Sequence, residues 1–166
     1  MDHLTRMEEL LNQANLDIRD GLYEEASNKL ETIINQDPGF GKAYNHLGYL
    51  YEAKFRDFEK GETLYKLALE KSPLYTATYC NYAILLSTLG KFEELKELLE
   101  TALTVPGMVK STIYNEYGIM YEQTGNFDKA IEYYKKCALE SLDGSVMERA
   151  KQSIERCKAK KEIQQL

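Results

Sequence analysis

IYNEYGIMYEQTGNFDKAIEYYKKCAL, residues 113–139, predicts a helix, a tight turn and a second helix. In the first half, residues that share one helix face recur at spacings of three and four: Tyr114, Tyr117, Gly118 and Tyr121. The second half repeats the pattern with Phe127, Ala130, Ile131, Tyr134 and Cys137. Between the halves, Gly125 favours the left-handed backbone that ends a helix, and Asn126 can cap the next one. We therefore expect two antiparallel helices, with Gly118 and Ala130 where the backbones approach most closely.

Two residue markers of this hairpin recur along the chain. The small residue of the first helix recurs at intervals of 34, 35 and 35, as Ala14, Gly48, Ala83 and Gly118. The aromatic residue that opens the second helix recurs at intervals of 35, 34 and 35, as Tyr23, Phe58, Phe92 and Phe127. Because two separate markers keep one period, the sequence predicts four copies of one helical hairpin.

The residues of each copy resemble the tetratricopeptide repeat, whose pattern has an aromatic, Leu-Gly, Tyr, then Ala, an aromatic and Pro. The second copy reads Tyr44, Leu47, Gly48, Tyr51, then Gly61, Tyr65, Ala68 and Pro73. The first copy departs most, with Gln13 and Asp17 where Leu and Tyr are expected, and the second has one extra residue before Gly61. The resemblance implies an all-α fold, a right-handed α-solenoid of four hairpins plus a C-terminal capping helix, nine helices in all.

We expect a single domain over residues 1–166, with repeats at about 3–38, 41–73, 76–106 and 111–141. Ser145 can cap a last helix over residues 145–164. That helix carries a narrow apolar stripe formed by Met147, Ala150, Ile154 and Cys157. It is expected to cover the open end of the stack.

Composition limits the partners and the compartment. A net charge of −6 and a pI near 5.1 argue against nucleic acid, which requires clustered Lys and Arg. No stretch approaches the roughly 20 apolar residues of a membrane span. Three cysteines, an odd number, indicate a reducing compartment, and we expect a cytoplasmic protein.

The sequence offers no catalytic or cofactor site. All ten glycines and three prolines have a structural task in turns, connections or helix contacts, so no glycine-rich loop remains to bind a phosphate. His3 and His46 each lack a second ligand at metal spacing. We therefore expect no metal, no cofactor and no enzymatic activity.

The resemblance implies that the first helices of the repeats line a concave groove. The residues that flank each small residue are assigned to it: Asn12, Asn15, Asn45, His46, Tyr49, Asn81, Ile84, Asn115, Glu116 and Ile119. Every repeat contributes an asparagine, whose amide can bond both the N–H and the C=O of an extended peptide. We predict an adaptor that holds a partner's peptide through Asn15, Asn45, Asn81 and Asn115, with Tyr49, Ile84 and Ile119 forming apolar pockets.

The charge of that peptide is predicted from the acids near the groove. Co-chaperones of this family bind the C-terminal carboxylates of chaperones through a clamp of Lys, Asn and Arg side chains. Whether such a clamp began at the first or at the second repeat, the corresponding positions of this sequence would hold neither Lys nor Arg. The acids are Glu8, Glu52, Glu116 and Glu122. A neutral or basic segment is therefore expected.

The alternative function is self-association. Leu4, Met7, Leu11, Ala14 and Ile18 form a heptad stripe on the first helix. If a second copy covered this stripe, the chain would be a structural module that forms a homodimer through its terminal helices.

Overall fold

The computed structural model describes residues 2–166, and within them the chain forms nine α-helices and no strand. The helices are α1 (His3–Asp20), α2 (Tyr23–Gln36), α3 (Gly41–Tyr49), α4 (Phe58–Lys71), α5 (Thr76–Thr88), α6 (Phe92–Ala102), α7 (Lys110–Gln123), α8 (Phe127–Glu140) and α9 (Gly144–Gln164). The all-helical prediction is confirmed. The described residues form two compact units, one ending at Leu85 within α5 and one beginning at Leu86.

The first unit begins with the hairpin of α1 and α2. The Asp2 carboxylate accepts from the backbone N–H of Thr5 at 2.8 Å and caps α1. Gly21, with a φ of 82°, ends the helix in the left-handed conformation. The two helices bury a shared apolar face formed by Met7, Leu11, Ala14, Ala26, Leu30 and Ile33. This core continues into α3 and α4 through Ala43, Leu47, Leu64 and Ala68.

A tyrosine hydroxyl fixes the start of the next helix in the same way at two places of this unit. Tyr44 donates to the carbonyl of Pro38 at 3.2 Å, and Tyr79 donates to the carbonyl of Pro73 at 2.9 Å. The carbonyl of each of these loop prolines lies outside the helices, and the tyrosine hydroxyl gives it a hydrogen-bond partner within the protein. These aromatic positions are therefore structural.

The extra residue of the second repeat is taken up by a π-helical turn, Leu50–Lys54, which follows α3. The N–H of Phe55 donates to the carbonyl of Leu50 at 2.9 Å, a bond five residues back instead of four. Arg56 then adopts a φ of 60°, the conformation that Gly21, Gly90 and Gly125 adopt in the other turns. The insertion is thus absorbed before α4 begins, and Gly61 keeps its packing position.

The second unit contains the packed helices α7, α8 and α9. Tyr134 of α8, which is 1% exposed, packs on the α7 backbone at Gly118. Three residues of α9 are turned towards the interior of this unit, as their spacing predicts: Ala150, Ile154 and Cys157. Met147, the fourth member of that stripe, is 37% exposed. The number of repeats, four hairpins plus a capping helix, stays a prediction.

Candidate functional site

The predicted groove residues of the first unit differ widely in exposure. Asn12 is exposed, and Ile84 is 50% exposed. Four residues are half-buried: Asn15, His46, Tyr49 and Asn81. Asn45 is 1% exposed, so its side chain belongs to the interior.

Asn45 and Asn81 are joined by a side-chain hydrogen bond. The Nδ2 of Asn81 donates to the Oδ1 of Asn45 at 3.1 Å. A buried amide that accepts from its neighbour holds that neighbour in one orientation. Within this unit, Asn45 therefore orients Asn81, and Asn81 is the amide that remains half-accessible.

His46 is the centre of a small polar cluster in the first unit. Its Nε2 lies 3.3 Å from the hydroxyl of Tyr75. Burial, and then the charge of Lys42, lower the pKa of His46 to about 4, so the ring is neutral near neutral pH. Lys42 is itself paired with Glu8 at 2.7 Å. The polar groups of this cluster are occupied by one another.

The second unit contains a cavity of about 420 Å³ bounded by α7, α8 and α9. Asn115 and Ile119, two of the predicted groove residues, line it from α7. Tyr134 and Cys137 line it from α8, and Arg149 lines it from α9. The structure thus places two predicted residues of this unit at one concave site.

Glu116, the third predicted residue of the second unit, is 8% exposed. Its Oε1 accepts from the Nδ2 of Asn115 at 3.2 Å. Burial raises the pKa of Glu116, and the hydrogen bond from Asn115 opposes that shift only in part. Glu116 therefore holds Asn115 from the interior side.

An ion-pair network anchors α9 to the hairpin at Glu122 of α7. Arg156 donates from Nε and from a terminal nitrogen, both at 2.7 Å, and Lys160 donates at 2.8 Å. Tyr134 adds a hydrogen bond at 2.9 Å. These donors, the Arg156 guanidinium first, lower the pKa of Glu122 to about 2. Because the carboxylate side chain is only 9% exposed, this network fixes where α9 lies on α7.

The α9 side of the cavity was not predicted as part of a site. The sequence assigned this helix to capping alone, since its apolar stripe accounts for its packing. Arg149 lies outside that stripe, on a helix with six basic residues. Arg149 lies about one repeat length after α7 in the sequence, and this position could have indicated that it belongs to the site. The interpretation of α9 as a capping helix alone gave no reason to consider it.

The acids behind the expected charge preference have internal partners. Glu8 pairs with Lys42, and Glu122 pairs with Arg156 and Lys160. Glu52 accepts from the hydroxyl of Tyr65 at 2.6 Å inside the protein. The structure gives the preference for a neutral or basic segment no support.

The heptad stripe of α1 is used within its own hairpin. Met7, Leu11 and Ala14 are buried against α2, and Ile18 packs on the same core. Leu4, at 60% exposure, is the member that stays accessible. Of the five residues that the homodimer alternative assigns to its contact, Leu4 is therefore the one that a second copy could reach.

Residues 2–166 contain neither a metal-binding cluster nor a membrane-spanning helix. No group of three or more His, Cys, Asp or Glu side chains in this range is arranged to hold a metal ion. Across the same residues, none of the helices has the length and apolar character needed to cross a membrane.

Comparison with known proteins agrees with the geometry. A tetratricopeptide repeat family model matches residues 76–106 and 111–140, the third and fourth predicted repeats. The pre-mRNA-splicing factor CLF1 of Yarrowia lipolytica is 30% identical over 125 residues. That alignment covers 74% of this chain, and the chain spans only 18% of the length of CLF1.

Solved structures show the same architecture at low identity. TTC0263, a thermophilic TPR protein of Thermus thermophilus, superposes with a TM-score of 0.74 at 20% identity, covering 89% of this chain and 81% of its own. YrrB, described as a TPR protein with an unusual peptide-binding site, gives 0.69 at 18% identity, with 84% and 71% covered. These likenesses establish the fold.

Proposed function

Because the chain belongs to the tetratricopeptide repeat family, we propose that it is a non-catalytic adaptor that binds a peptide segment of a partner protein. The observation that carries the proposal is the cavity among α7, α8 and α9, lined by Asn115 and Ile119. Its volume of about 420 Å³ suits a short peptide segment with its side chains. YrrB, whose description names a peptide-binding site, supports the same use of this fold.

The cavity supplies both kinds of contact that a peptide needs. One N–H of the Asn115 amide donates to Glu116. The second N–H and the amide oxygen can still form hydrogen bonds with a peptide main chain. Ile119 is half-buried and offers an apolar wall. We therefore expect Asn115 to fix the register of the bound peptide and Ile119 to provide an apolar contact for its side chains.

We extend the proposal to the first unit through its asparagines. Asn81, oriented by the buried Asn45, offers its amide to an extended main chain. Asn15 and Asn12, on α1, are accessible enough for the same role. In this unit Asn45 acts through Asn81 and not by direct contact.

The chemistry of the cysteines and of His46 supports a non-catalytic role. Burial raises the pKa of the Cys137 thiol, and burial, then Glu122, raise that of Cys157 to about 11. A nucleophilic cysteine needs the opposite shift. The hydroxyl of Tyr75, which lies 3.3 Å from the Nε2 of His46, has a pKa that burial raises above its ordinary value, so it is a poor nucleophile near neutral pH.

The same thiols support a proposal about the compartment. Cys137 and Cys157 are buried and form no disulfide. Thiols in this state suit a reducing environment, and we place the protein in the cytoplasm on this ground.

A random peptide library displayed on phage, panned against the full chain, tests the proposal. We expect enriched sequences whose binding falls about tenfold or more with Ile119→Glu, because the cavity wall becomes charged. Lys135→Glu, an exposed position of α8, is the matched control and should leave binding unchanged. The proposal fails if nothing is enriched, or if the enriched peptides bind both variants as tightly as the unchanged chain.

A further inference from the structure

One cation of α9 differs from the other five. Each of these five pairs with a carboxylate within 4.0 Å, namely Lys151, Arg156, Lys158, Lys160 and Lys161. Arg149 forms no ion pair with any residue from 2 to 166. It is also a residue that lines the cavity. Its guanidinium, whose charge acts on Asp143 without forming an ion pair, therefore lies where a ligand can reach it.

The uncharged donors of the cavity lie on α7. Ser111 and Thr112 line the cavity from the first turn of that helix. Among the residues that the structure describes, neither hydroxyl has a hydrogen-bond partner, although Ser111 is only 7% exposed. Val109, which precedes the helix, provides no side-chain cap. Hydroxyls that open onto the cavity at the positive end of a helix dipole can donate to an anionic acceptor.

The charge balance at the other end of the cavity points the same way. Glu122 carries one negative charge, and Arg156 and Lys160, which both bond to it, carry two positive charges. The network is therefore positive by one charge, and Arg156 also lines the cavity. Arg149 adds a second guanidinium to the lining, where its charge also acts on Asp143, and Glu116 behind Asn115 is a carboxyl whose pKa burial raises towards the neutral form.

We propose that this cavity binds the side-chain carboxylate of a Glu or Asp within a partner's peptide, with Arg149 as its cation and Ser111 and Thr112 as neutral donors. This inference rests on the proposed function and names the chemistry of its ligand. Among residues 2–166, Arg149 is the cation of α9 that forms no ion pair, and one guanidinium accommodates one carboxylate. An aliphatic peptide residue next to the acid packs on Ile119 and Val146, the apolar side chains that line the cavity.

The test uses two end-blocked tripeptides, acetyl-Leu-Glu-Ile-amide and acetyl-Leu-Gln-Ile-amide, titrated into the ¹⁵N-labelled full chain by NMR. Blocked ends leave the glutamate side chain as the only carboxylate. We expect the Glu peptide to shift the amide signals of Ser111, Asn115 and Arg149. We expect the Gln peptide to bind about tenfold more weakly, the ratio for one charge-assisted contact.

Variants assign that preference to the cation. Arg149→Gln should bring the two peptides to within about twofold of each other, which is close to no discrimination. Arg149 is exposed, so this change should not disturb folding. Lys151→Gln, which removes a cation two residues along the same helix, is the control and should keep the preference.

Three results would overturn the inference. The first is equal affinity for the two peptides in the unchanged chain, and the second is no saturable shift with the Glu peptide. The third is an equal loss of preference in Lys151→Gln, which would indicate unspecific charge attraction. Any of these would leave the adaptor proposal standing if phage selection still yields peptides sensitive to Ile119→Glu, so the two failures can be told apart.

Discussion

A Cβ atom on Gly118 would lie 2.5 Å from the Cε1 atom of Tyr134, because the tyrosine ring packs directly on the α7 backbone. The second repeat has the same arrangement, in which a Cβ on Gly48 would lie 2.9 Å from the Tyr65 ring. Each tyrosine hydroxyl also donates to a glutamate of the facing helix, Tyr134 to Glu122 and Tyr65 to Glu52. Glycine, tyrosine and glutamate thus act together in two of the hairpins.

The first prediction concerns Gly118→Ala. Alanine favours a helix by about 1 kcal/mol over glycine, but the overlap with Tyr134 costs about 1–3 kcal/mol. The ring cannot move away easily, since it is 1% exposed and hydrogen-bonded to Glu122. The overlap cost therefore lies in the upper part of its range, about 2–3 kcal/mol, and we expect a net loss of about 1–2 kcal/mol in the free energy of unfolding, measured by urea denaturation.

Gly144→Ala is the matched control for this variant. A Cβ at Gly144 meets no atom within 4 Å, so only the gain in helix propensity remains. Its stability should be unchanged or slightly higher. If Gly118→Ala behaved in the same way, the close contact with Tyr134 would be contradicted.

The second prediction concerns stability against pH. The donors around Glu122 lower its pKa from an ordinary value of 4.5 to about 2. A lowered carboxyl pKa stabilises the folded state above the unfolded pKa, and this contribution is lost as the pH falls from 4.5 towards 2. Urea unfolding across this range should show a fall in stability that is much shallower in Glu122→Gln.

Glu97→Gln is the control, because Glu97 is exposed and its side chain makes no ion pair with residues 2–166. It should keep the pH dependence of the unchanged chain. A Glu122→Gln variant with the full acid dependence would show that the network around Glu122 is not the cause.

The third prediction concerns the left-handed residue Arg56. Its φ of 60° costs a residue with a side chain about 1–2 kcal/mol, whereas glycine adopts it without strain. Arg56→Gly should raise the melting temperature and stabilise the fold by up to about 1 kcal/mol, after the loss of the guanidinium contact with Phe58.

The reverse change tests the same strain in another hairpin. Gly125→Ala places a side chain at a φ of 75° without a close contact, so it should destabilise by about 1 kcal/mol. A neutral Gly125→Ala together with a destabilised Arg56→Gly would contradict the account of these turns.

Much of the fold could be predicted because helical spacing, turn glycines and repeat period are local signals. Phe127 opens α8 and Gly125 ends the preceding turn, as their positions indicate. The π-helical turn at Leu50–Lys54 could not be located, since the sequence shows an extra residue but not where the backbone takes it up.

The site was predicted less well than the fold, for a physical reason. Spacing tells which residues share a helix face, but burial depends on the neighbouring side chains. Asn45 and Asn81 both lie beside the packing positions, yet one is buried and orients the other. The role of Arg149 depends on which α9 cations find carboxylates, and this requires coordinates.

The most direct test of the central claim, that the face between α7 and α9 holds a peptide, is an NMR measurement of intermolecular nuclear Overhauser effects. A peptide enriched by phage selection would be bound to the full chain with labelled Ile methyl groups. The account predicts effects between peptide protons and the methyl groups of Ile119. Effects that reach Ile131 of α8 and leave Ile119 without any would contradict it.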